Sequence, residues 1–232
     1  MVSIVIVNWN TPEITIRSIE AVQKHTRIPY ELILVDNGST DSSPSVLSEY
    51  SRKNTQVILN EKNLGFAGGY NTGIRASKNN FVCLLNSDAF PTRGWMQSML
   101  RCADKTGASM VGPWTNEAKG PQRKKFKHRL IPKVFRTYKK VDFLSFFCVL
   151  IERKVFNRIG LLDERFGLGT YEDDDFCRRA REAGFKLMID PRAWVWHEAH
   201  ATMKANQLDE QSLKEESFKK YSQKWLESEH IS

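Results

Sequence analysis

The sequence predicts an α/β fold in which helices flank a mostly parallel sheet, and three features of the chain support this prediction. Short runs of β-branched and aliphatic residues without a polar face recur along the chain, which is typical of strands buried on both sides. Segments in which apolar residues recur at helical spacing separate these runs. Several runs end abruptly in Asn or Asp, and ligands of open α/β sheets bind beyond the carboxyl ends of the strands.

The predicted elements alternate along the chain. SIVIVN, residues 3–8, is the first strand, and Thr11 followed by Pro12 predicts a helix start as an N-cap and first helical residue. Further strands are predicted at residues 30–35, 56–59, 81–86, 108–112, 142–151, 186–189 and 193–196. Helices are predicted at residues 12–25, 43–52, 94–105, 153–159 and 206–227, with another after Thr170. The alternation indicates right-handed crossovers between parallel strands.

A glycine-rich stretch, NLGFAGGYNTG at residues 63–73, precedes a short predicted helix that ends at Ala76. Glycines there would let backbone amides approach a ligand and direct a helix N-terminus at an anion. The same glycines would also be explained by close packing of the helix on the sheet. The sequence leaves both interpretations open, since the stretch matches neither a Walker loop nor a G-x-G-x-x-G fingerprint.

Length and composition indicate one globular domain. The chain has 232 residues, of which 41% are hydrophobic and 27% charged, enough to bury a sizeable core. The longest nearly uncharged stretch, residues 143–151, is too short to cross a bilayer, and no basic leader precedes the first strand, so a cytoplasmic protein is expected. The cysteines are spread singly and are expected to be reduced; they are Cys83, Cys102, Cys148 and Cys177.

The positive charge is concentrated in one segment. The net charge is +8, yet residues 119–140 contain ten of the 35 basic residues and no acidic residue. We expect residues 113–140 to form a mobile basic loop, in which Lys124, Lys125 and Lys127 contact an anionic membrane or a lipid diphosphate. A solvated loop and a nucleic-acid clamp are the alternatives, since basic residues with interspersed aromatics also suit phosphates and bases.

The strand from Phe81 to Asn86 continues into Ser87, Asp88 and a proline. A carboxylate just beyond the apolar residues is well placed to hold a divalent cation against a phosphate, because Mg²⁺ and Mn²⁺ favour oxygen ligands. Asp88 could instead cap the following helix or close a turn.

A second acidic site is predicted in YEDDDF, residues 171–176. Thr170 is a predicted N-cap with Asp173 three residues later, which would place the acids in the first turn of a helix. Acids near a helix N-terminus are stabilising, but four adjacent carboxylates repel one another and favour a nearby cation or substrate proton. His197 and His200 follow the last predicted strand, where a histidine is commonly structural.

The ordered set of these stretches resembles the family 2 inverting glycosyltransferases of GT-A fold, especially their bacterial rhamnosyltransferase-like branch. The resemblance rests on SIVIVNWN, LVDNGSTD, NLGFAGGYNTG, LLNSD, LLDERF, YEDDDFCRRAREAGF and VWH, and it extends from about residue 2 to residue 200. It implies a Rossmann-like GT-A sheet with a C-terminal subregion on the acceptor side.

The resemblance also implies roles for individual residues. Asn8, Asp36 and Asn63 would contact the donor, with Asp36 accepting from a uracil or thymine ring. Asn86 and Asp88 occupy the place of the family's D-x-D motif and would bind the donor diphosphate, Asp88 through Mn²⁺ or Mg²⁺. Asp173 falls on the general base, Glu172 would orient the acceptor or support the helix turn, and His197 falls on the histidine that completes the metal site.

Three departures from the family pattern are informative. Asn86 replaces the first aspartate of D-x-D and removes one charge, which suggests a metal site with one carboxylate. Phe146 and Phe147 replace a small pair and would reshape the acceptor pocket. His200 stands where relatives have Gly or Ser, so that two histidines compete for the metal, of which His197 is favoured.

The expected protein is therefore one GT-A domain over residues 1–232. It divides into a nucleotide-sugar-binding half at 1–112, the basic loop at 113–140, a catalytic and acceptor half at 141–205, and a C-terminal helix at 206–232. The expected reaction moves a sugar from a UDP- or dTDP-sugar to a hydroxyl of a glycan or lipid-linked acceptor, with inversion and with Mn²⁺ or Mg²⁺. A peripheral contact with the inner face of the membrane is expected, and nucleic acid is not an expected partner.

Two alternatives to this function stay open at this point. A non-catalytic module that retains nucleotide or sugar binding is one, and a nucleic-acid-contacting protein is the other. A nucleotidyltransferase is disfavoured, because NWNTPE after the first strand offers no triphosphate-binding glycine and lysine loop.

Overall fold

The computed structural model describes residues 1–51, 54–125 and 136–229. Across these residues one nine-stranded sheet is flanked by helices, with the strand order β3-β2-β1-β4-β8-β6-β9-β5 and β7 paired with β9. The strands are β1 Val2–Asn8, β2 Tyr30–Asp36, β3 Thr55–Leu59, β4 Phe81–Asn86, β5 Ala89–Pro91, β6 Met110–Trp114, β7 Lys139–Val141, β8 Cys148–Glu152 and β9 Leu187–His197. The helices are α1 Pro12–His25, α2 Ser43–Ser48, α3 Gly65–Ala76, α4 Trp95–Thr106, α5 Arg153–Ile159, α6 Glu172–Glu182, α7 Ala201–Ala205 and α8 Glu210–Glu229.

The α/β class is confirmed, but the sheet is mixed. Strands β1 to β4 pair in parallel, as do β6 and β9. The pairs of β4 with β8, β6 with β8, β5 with β9, and β7 with β9 are antiparallel. A hydrophobic run predicts that a strand is buried but carries no information on its direction, which explains why the second half of the sheet differs from the mostly parallel prediction.

The sheet separates two apolar cores because side chains alternate between its faces. In β1, Ile4 and Ile6 pack into one core with Trp95, whereas Val5 packs into the other with Phe146 and Phe176. All four cysteines are buried and unpaired, as predicted. Within the described residues, no helix combines the length and apolarity needed to cross a bilayer.

The glycines of residues 63–73 lie mostly inside α3, where they allow it to pack closely on the sheet. A Cβ atom on Gly73 would lie 2.2 Å from a methyl group of Val5, and one on Gly69 would lie 2.7 Å from a methyl group of Val7. The amide of Gly65 already donates to Asn63 Oδ1 at 2.8 Å. These contacts favour the packing interpretation of the stretch.

Several predicted boundaries of strands and helices were wrong. The strand predicted at 142–151 is β8 from Cys148, preceded by the short β7, and the two strands around Pro191 are one strand, β9. The second helix ends at Ser48, the C-terminal helix begins at Glu210 and not at residue 206, and the short α7 before it was not predicted. Thr11 precedes α1 as predicted, but its hydroxyl donates to Asn8 Oδ1 and does not cap the helix.

Candidate active site

A cavity of about 610 Å³ opens at the carboxyl ends of β1 and β4 and contains most of the predicted site residues. Its walls come from these strand ends, from residues 117–119, 168–173 and 197–203, and from the first turns of α8. Six predicted residues line it: Asn63, Asn86, Asp88, Glu172, Asp173 and His197. This volume is typical of sites that bind small molecules.

Asp88 and His197 meet at the floor of the cavity. The antiparallel pairing of β5 with β9 sets Ala89 opposite His197, so that Asp88 Oδ1 lies 3.1 Å from His197 Nε2. The other ring nitrogen of His197 lies 2.8 Å from the carbonyl oxygen of Glu117, and the ring stacks on Phe147 at 4.9 Å. Burial is the largest single influence and lowers the pKa of His197, but Asp88 and Glu117 together outweigh it, so that the net pKa is raised.

The residues around Asp88 fit a divalent cation that takes most of its ligands from a phosphate and water. The Glu117 carbonyl oxygen, near Nδ1 of His197, orients the ring so that Nε2 points at Asp88, as is usual for metal-binding histidines. The Asn86 side-chain oxygen accepts from the Tyr70 hydroxyl at 3.0 Å, which leaves it one lone pair. Among the described residues no three His, Cys, Asp or Glu side chains form a metal cluster, so the protein would supply few ligands, as is common for Mg²⁺ bound with phosphates.

The four adjacent acids at the start of α6 have different environments. Asp174 pairs with Lys119 at 2.7 Å, and Asp175 is fully buried between Arg179 at 2.8 Å and Lys224 at 2.5 Å. Glu172 and Asp173 instead line the cavity. Two of the four acids are therefore neutralised by the protein, and two are directed at the space where a ligand would lie.

The pKa values of the two cavity-facing acids are raised. Burial is the main cause for Glu172, whose pKa rises to about 7, and Asp174 adds to the shift. Burial also raises the pKa of Asp173, and the neighbouring Glu172 and Asp174 carboxylates raise it further. A carboxylate with a raised pKa is a stronger base, which suits proton abstraction near neutral pH.

Thr170 does not cap α6, contrary to the prediction. Tyr171 occupies the N-cap position, and both residues have a positive φ, 75° for Thr170 and 69° for Tyr171. The buried Thr170 Oγ1 has no hydrogen-bond partner among the described residues, and neither has Glu172 Oε2. Both residues line the cavity, where a polar ligand would give these atoms a partner.

Asn8 and Asp36 lie at the ends of β1 and β2 as predicted, but they do not line the cavity. Both are fully buried, and Asn8 Nδ2 donates to Asp36 Oδ2 at 2.9 Å. The Ser39 hydroxyl and amide also donate to the Asp36 carboxylate. Asn63 does line the cavity, where its side-chain oxygen accepts from Asn37 Nδ2 at 2.9 Å.

His200, the alternative to His197 as a metal ligand, lies on the cavity wall but pairs with Glu210 at 2.9 Å, whereas the favoured His197 contacts Asp88. Lys124 and Lys125 are outside the cavity, and Lys127 lies outside the described residues.

The sequence did not single out several residues that line the cavity, among them Trp9, Lys119, Tyr171 and Lys214. Lys119 was counted only as part of the basic segment, and its pairing with Asp174 had no local signal. Lys214 lies on the polar surface of α8, where a lysine is ordinarily solvated.

The mixed sheet, with a cavity at its carboxyl edge, matches the GT-A fold of solved glycosyltransferase structures. GalNAc-T7 solved with UDP, GalNAc and Mn²⁺ has the same fold, with a TM-score of 0.73, 19% identity, and coverage of 85% of this chain and 43% of that one. TarS 1-349 of S. aureus aligns with a TM-score of 0.66 and 16% identity over 86% of this chain and 60% of its own. At these identities the likeness establishes the fold alone.

The chain belongs to glycosyl transferase family 2, whose family model matches residues 3–160. The low-salt glycan biosynthesis hexosyltransferase Agl10 of Haloferax volcanii is 28% identical over 202 residues, which cover 80% of this chain and 63% of Agl10. The succinoglycan biosynthesis protein ExoO of Rhizobium meliloti is 26% identical over 110 residues, 47% of this chain and 32% of ExoO. The chain spans about a third to two thirds of the length of these curated relatives.

Proposed function

We propose that this domain transfers a sugar from a UDP- or dTDP-sugar to an acceptor hydroxyl, with inversion at the anomeric carbon and with Mn²⁺ or Mg²⁺. The observation that carries the proposal is the single cavity that the Asp88 and His197 pair shares with Glu172 and Asp173. Asp88 and His197 suit the diphosphate end of a nucleotide-sugar, and Glu172 and Asp173 suit a hydroxyl that must lose a proton.

In the proposed reaction Asp173 accepts the proton of the acceptor hydroxyl as that oxygen bonds to the anomeric carbon. The bond between this carbon and the diphosphate breaks on the opposite face, which inverts the configuration. A cation bound by Asp88 and His197 would neutralise the charge that develops on the leaving diphosphate. A protonated Glu172 could donate a hydrogen bond to the same substrate, because its pKa is raised to about 7.

The similar proteins support the substrate class. GalNAc-T7 was solved with UDP and Mn²⁺, and the mannosyltransferase PcManGT of Pyrobaculum calidifontis with GDP-Man and Mn²⁺. Agl10 and ExoO are named for glycan and succinoglycan biosynthesis. We therefore place the reaction in the synthesis of a surface polysaccharide or glycoconjugate, and the rhamnosyltransferase-like branch stays part of the proposal.

Asp88→Ala is expected to abolish the metal-dependent stabilisation of the protein by its donor nucleotide. In the parent, UDP or dTDP with Mn²⁺ should stabilise the fold by about 2.7 kcal/mol at 100 times the dissociation constant. Thermal unfolding with UDP, dTDP, GDP and CDP, each with and without Mn²⁺, measures this effect. His200→Ala is the matched control and should keep the shift, because the His200 side chain pairs with Glu210 whereas His197 is the histidine that contacts Asp88. A shift that survives in Asp88→Ala would contradict the assigned donor site.

The basic segment is proposed to hold the protein at an anionic membrane. Lys124 and Lys139 each lie 5.9 Å from the centre of the Trp114 ring, so that two lysines from different parts of the segment place their charges near one aromatic residue. Replacing Lys124, Lys125 and Lys127 with Gln should weaken vesicle binding, since each basic residue near an anionic surface contributes about 1 kcal/mol. Co-flotation with phosphatidylserine vesicles tests this expectation. The same change at the exposed Lys62, Lys78 and Lys105 is the control, and equal loss in both variants would refute a dedicated contact.

A further inference from the structure

An apolar strip continues from the cavity onto the surface of α8. Leu168 and Tyr171 line the cavity, and the Tyr171 ring lies 5.6 Å from that of Phe218 and 5.5 Å from that of Tyr221. We call Leu168, Tyr171, Phe218 and Tyr221 the aromatic rim. Phe218 is 52% exposed and Leu168 is 37% exposed, so that both large apolar side chains remain accessible to a ligand.

The aromatic rim is held rigidly by buried polar contacts. Ser217, which is 2% exposed, directs its hydroxyl at the carbonyl oxygens of Gly169 and Phe166, and so attaches α8 to the loop before α6. The Phe66 amide donates to the Gly167 carbonyl and fixes the same loop to α3.

The backbone of this loop is strained at two consecutive residues. Thr170 and Tyr171 both have a positive φ, which costs free energy for residues other than glycine. Such strain is retained where the surrounding structure enforces it, and it concentrates at ligand sites. In this chain it presents the Tyr171 ring between the cavity and Phe218.

The inner end of the aromatic rim adjoins the acids that would activate the acceptor. Tyr171 immediately precedes Glu172 and Asp173, and Thr170 Oγ1 and Glu172 Oε2 are buried without partners among the described residues. A ligand that satisfied these two atoms would continue outward over Tyr171 toward Phe218. The rim is therefore on the acceptor side of the proposed reaction.

The chemistry of the aromatic rim favours a saccharide. Sugar rings present flat C–H faces that pack on aromatic rings and hydroxyls that bond to polar neighbours, and Tyr171 and Tyr221 are aromatic residues with a polar end. The apolar strip is short, and Lys214, one turn before Phe218, lines the cavity, while Glu215 and Lys219 are exposed on either side of it. A prenyl chain would require a longer, uncharged trench.

We propose that the aromatic rim binds the saccharide units of an oligosaccharide acceptor that lie beyond the unit receiving the sugar. This inference rests on the proposed function, since the acceptor is defined by the transfer reaction. The inference adds that the acceptor is a glycan of more than one saccharide unit, and that the aromatic rim makes its affinity depend on the number of units.

The first experiment measures binding of oligosaccharides by the protein saturated with UDP and Mn²⁺. Glycans of one to six units from bacterial surface polysaccharides are displayed on an array, and the longest one bound is then titrated in solution. The parent is expected to bind longer members more tightly than the monosaccharide. Phe218→Ala should weaken binding of the longest member about 3- to 10-fold, the loss of one aromatic contact, without affecting the monosaccharide.

Two variants and one further probe separate the outcomes. Leu226→Ala alters a side chain of the same helix that is 58% exposed, and it should bind as the parent does, while Phe218→Trp should retain the length dependence. Binding that is independent of length, or equal in Phe218→Ala and parent, would overturn the inference. Binding of farnesyl phosphate vesicles that requires Phe218 would also overturn it, because the rim would then hold a lipid. A normal UDP and Mn²⁺ thermal shift in the same samples shows that the donor site is intact, so failure of the rim is distinguishable from failure of the proposed function.

Discussion

Asp173→Asn is expected to lower the rate of sugar transfer about 10²- to 10⁴-fold, the usual contribution of a general base. Asn has nearly the same shape but accepts no proton at neutral pH, so that the acceptor hydroxyl would have to attack while still protonated. The donor nucleotide should bind as in the parent, because Asp173 is not among the residues assigned to the diphosphate. Release of the nucleoside diphosphate in the presence of acceptor measures the rate, and the Mn²⁺-dependent thermal shift measures donor binding.

Asp174→Asn is the matched control for this prediction. Asp174 adjoins the proposed base but bonds to Lys119 through both carboxylate oxygens, at 2.9 and 2.7 Å. Its replacement should change the rate less than about tenfold, because only a neighbouring charge is altered and no proton acceptor is lost. Equal losses in the two variants would mean that the acidic cluster acts only through its total charge, and the assignment of the base would then be wrong.

The pH dependence of the parent follows from the same assignment. Burial and the neighbouring Glu172 and Asp174 raise the pKa of Asp173 above its ordinary value. A base works only when ionised, so kcat/KM should fall as the pH drops through this raised pKa, at a higher pH than an exposed Asp would give. The raised pKa also means that ionisation favours the unfolded chain, so Asp173→Asn should be at least as stable as the parent at neutral pH. A less stable variant would point to a structural role.

Asp175→Ala is expected to destabilise the fold by about 2 to 4 kcal/mol. Removing one member of a buried ion pair costs about 3 to 5 kcal/mol, and the value is reduced because Arg179 and Lys224 are each nearly one-fifth exposed and regain some solvation. Lys224 belongs to α8, so that its pairing with Asp175 helps to attach α8 to α6, which carries the proposed base Asp173. Urea unfolding monitored by circular dichroism gives the free energy of unfolding.

Glu182→Gln is the control for the Asp175 experiment. Glu182 pairs with Arg178 at the same four-residue spacing on the same helix, but its side chain is 54% exposed. An exposed pair of this kind contributes about 0.3 to 0.5 kcal/mol, so the change should be close to the error of the measurement. If both variants lost equal stability, the burial of Asp175 would add nothing beyond an exposed ion pair, and the prediction would be wrong.

Some features of the site were predictable because their signals are local. The strand that ends at Asn86 is followed almost directly by Asp88, and the four acids at residues 172–175 are consecutive. Such changes from apolar to acidic residues are visible without any tertiary contact. The glycine-rich stretch was ambiguous, since its meaning depended on the methyl groups of Val5 and Val7, which belong to another strand. Thr170 was assigned as an N-cap from a pattern that the strained backbone of this loop does not follow.

The sequence by itself determined the α/β class, the family and six of the residues that line the cavity, because hydrophobic periodicity and ordered motifs are properties of neighbouring residues. Only the tertiary structure decided the strand directions in the second half of the sheet and which acid faces which partner. Asp88 meets His197 because β5 pairs with β9, and Asp174 and Asp175 are neutralised by Lys119 and Lys224, which come from other segments. Within the part of the chain that the structure describes, Glu172 and Asp173 have no such partner and face the cavity. Their pKa values are likewise decided by the fold, because the pKa of an acid is set by the charges and the burial that the whole fold brings to it.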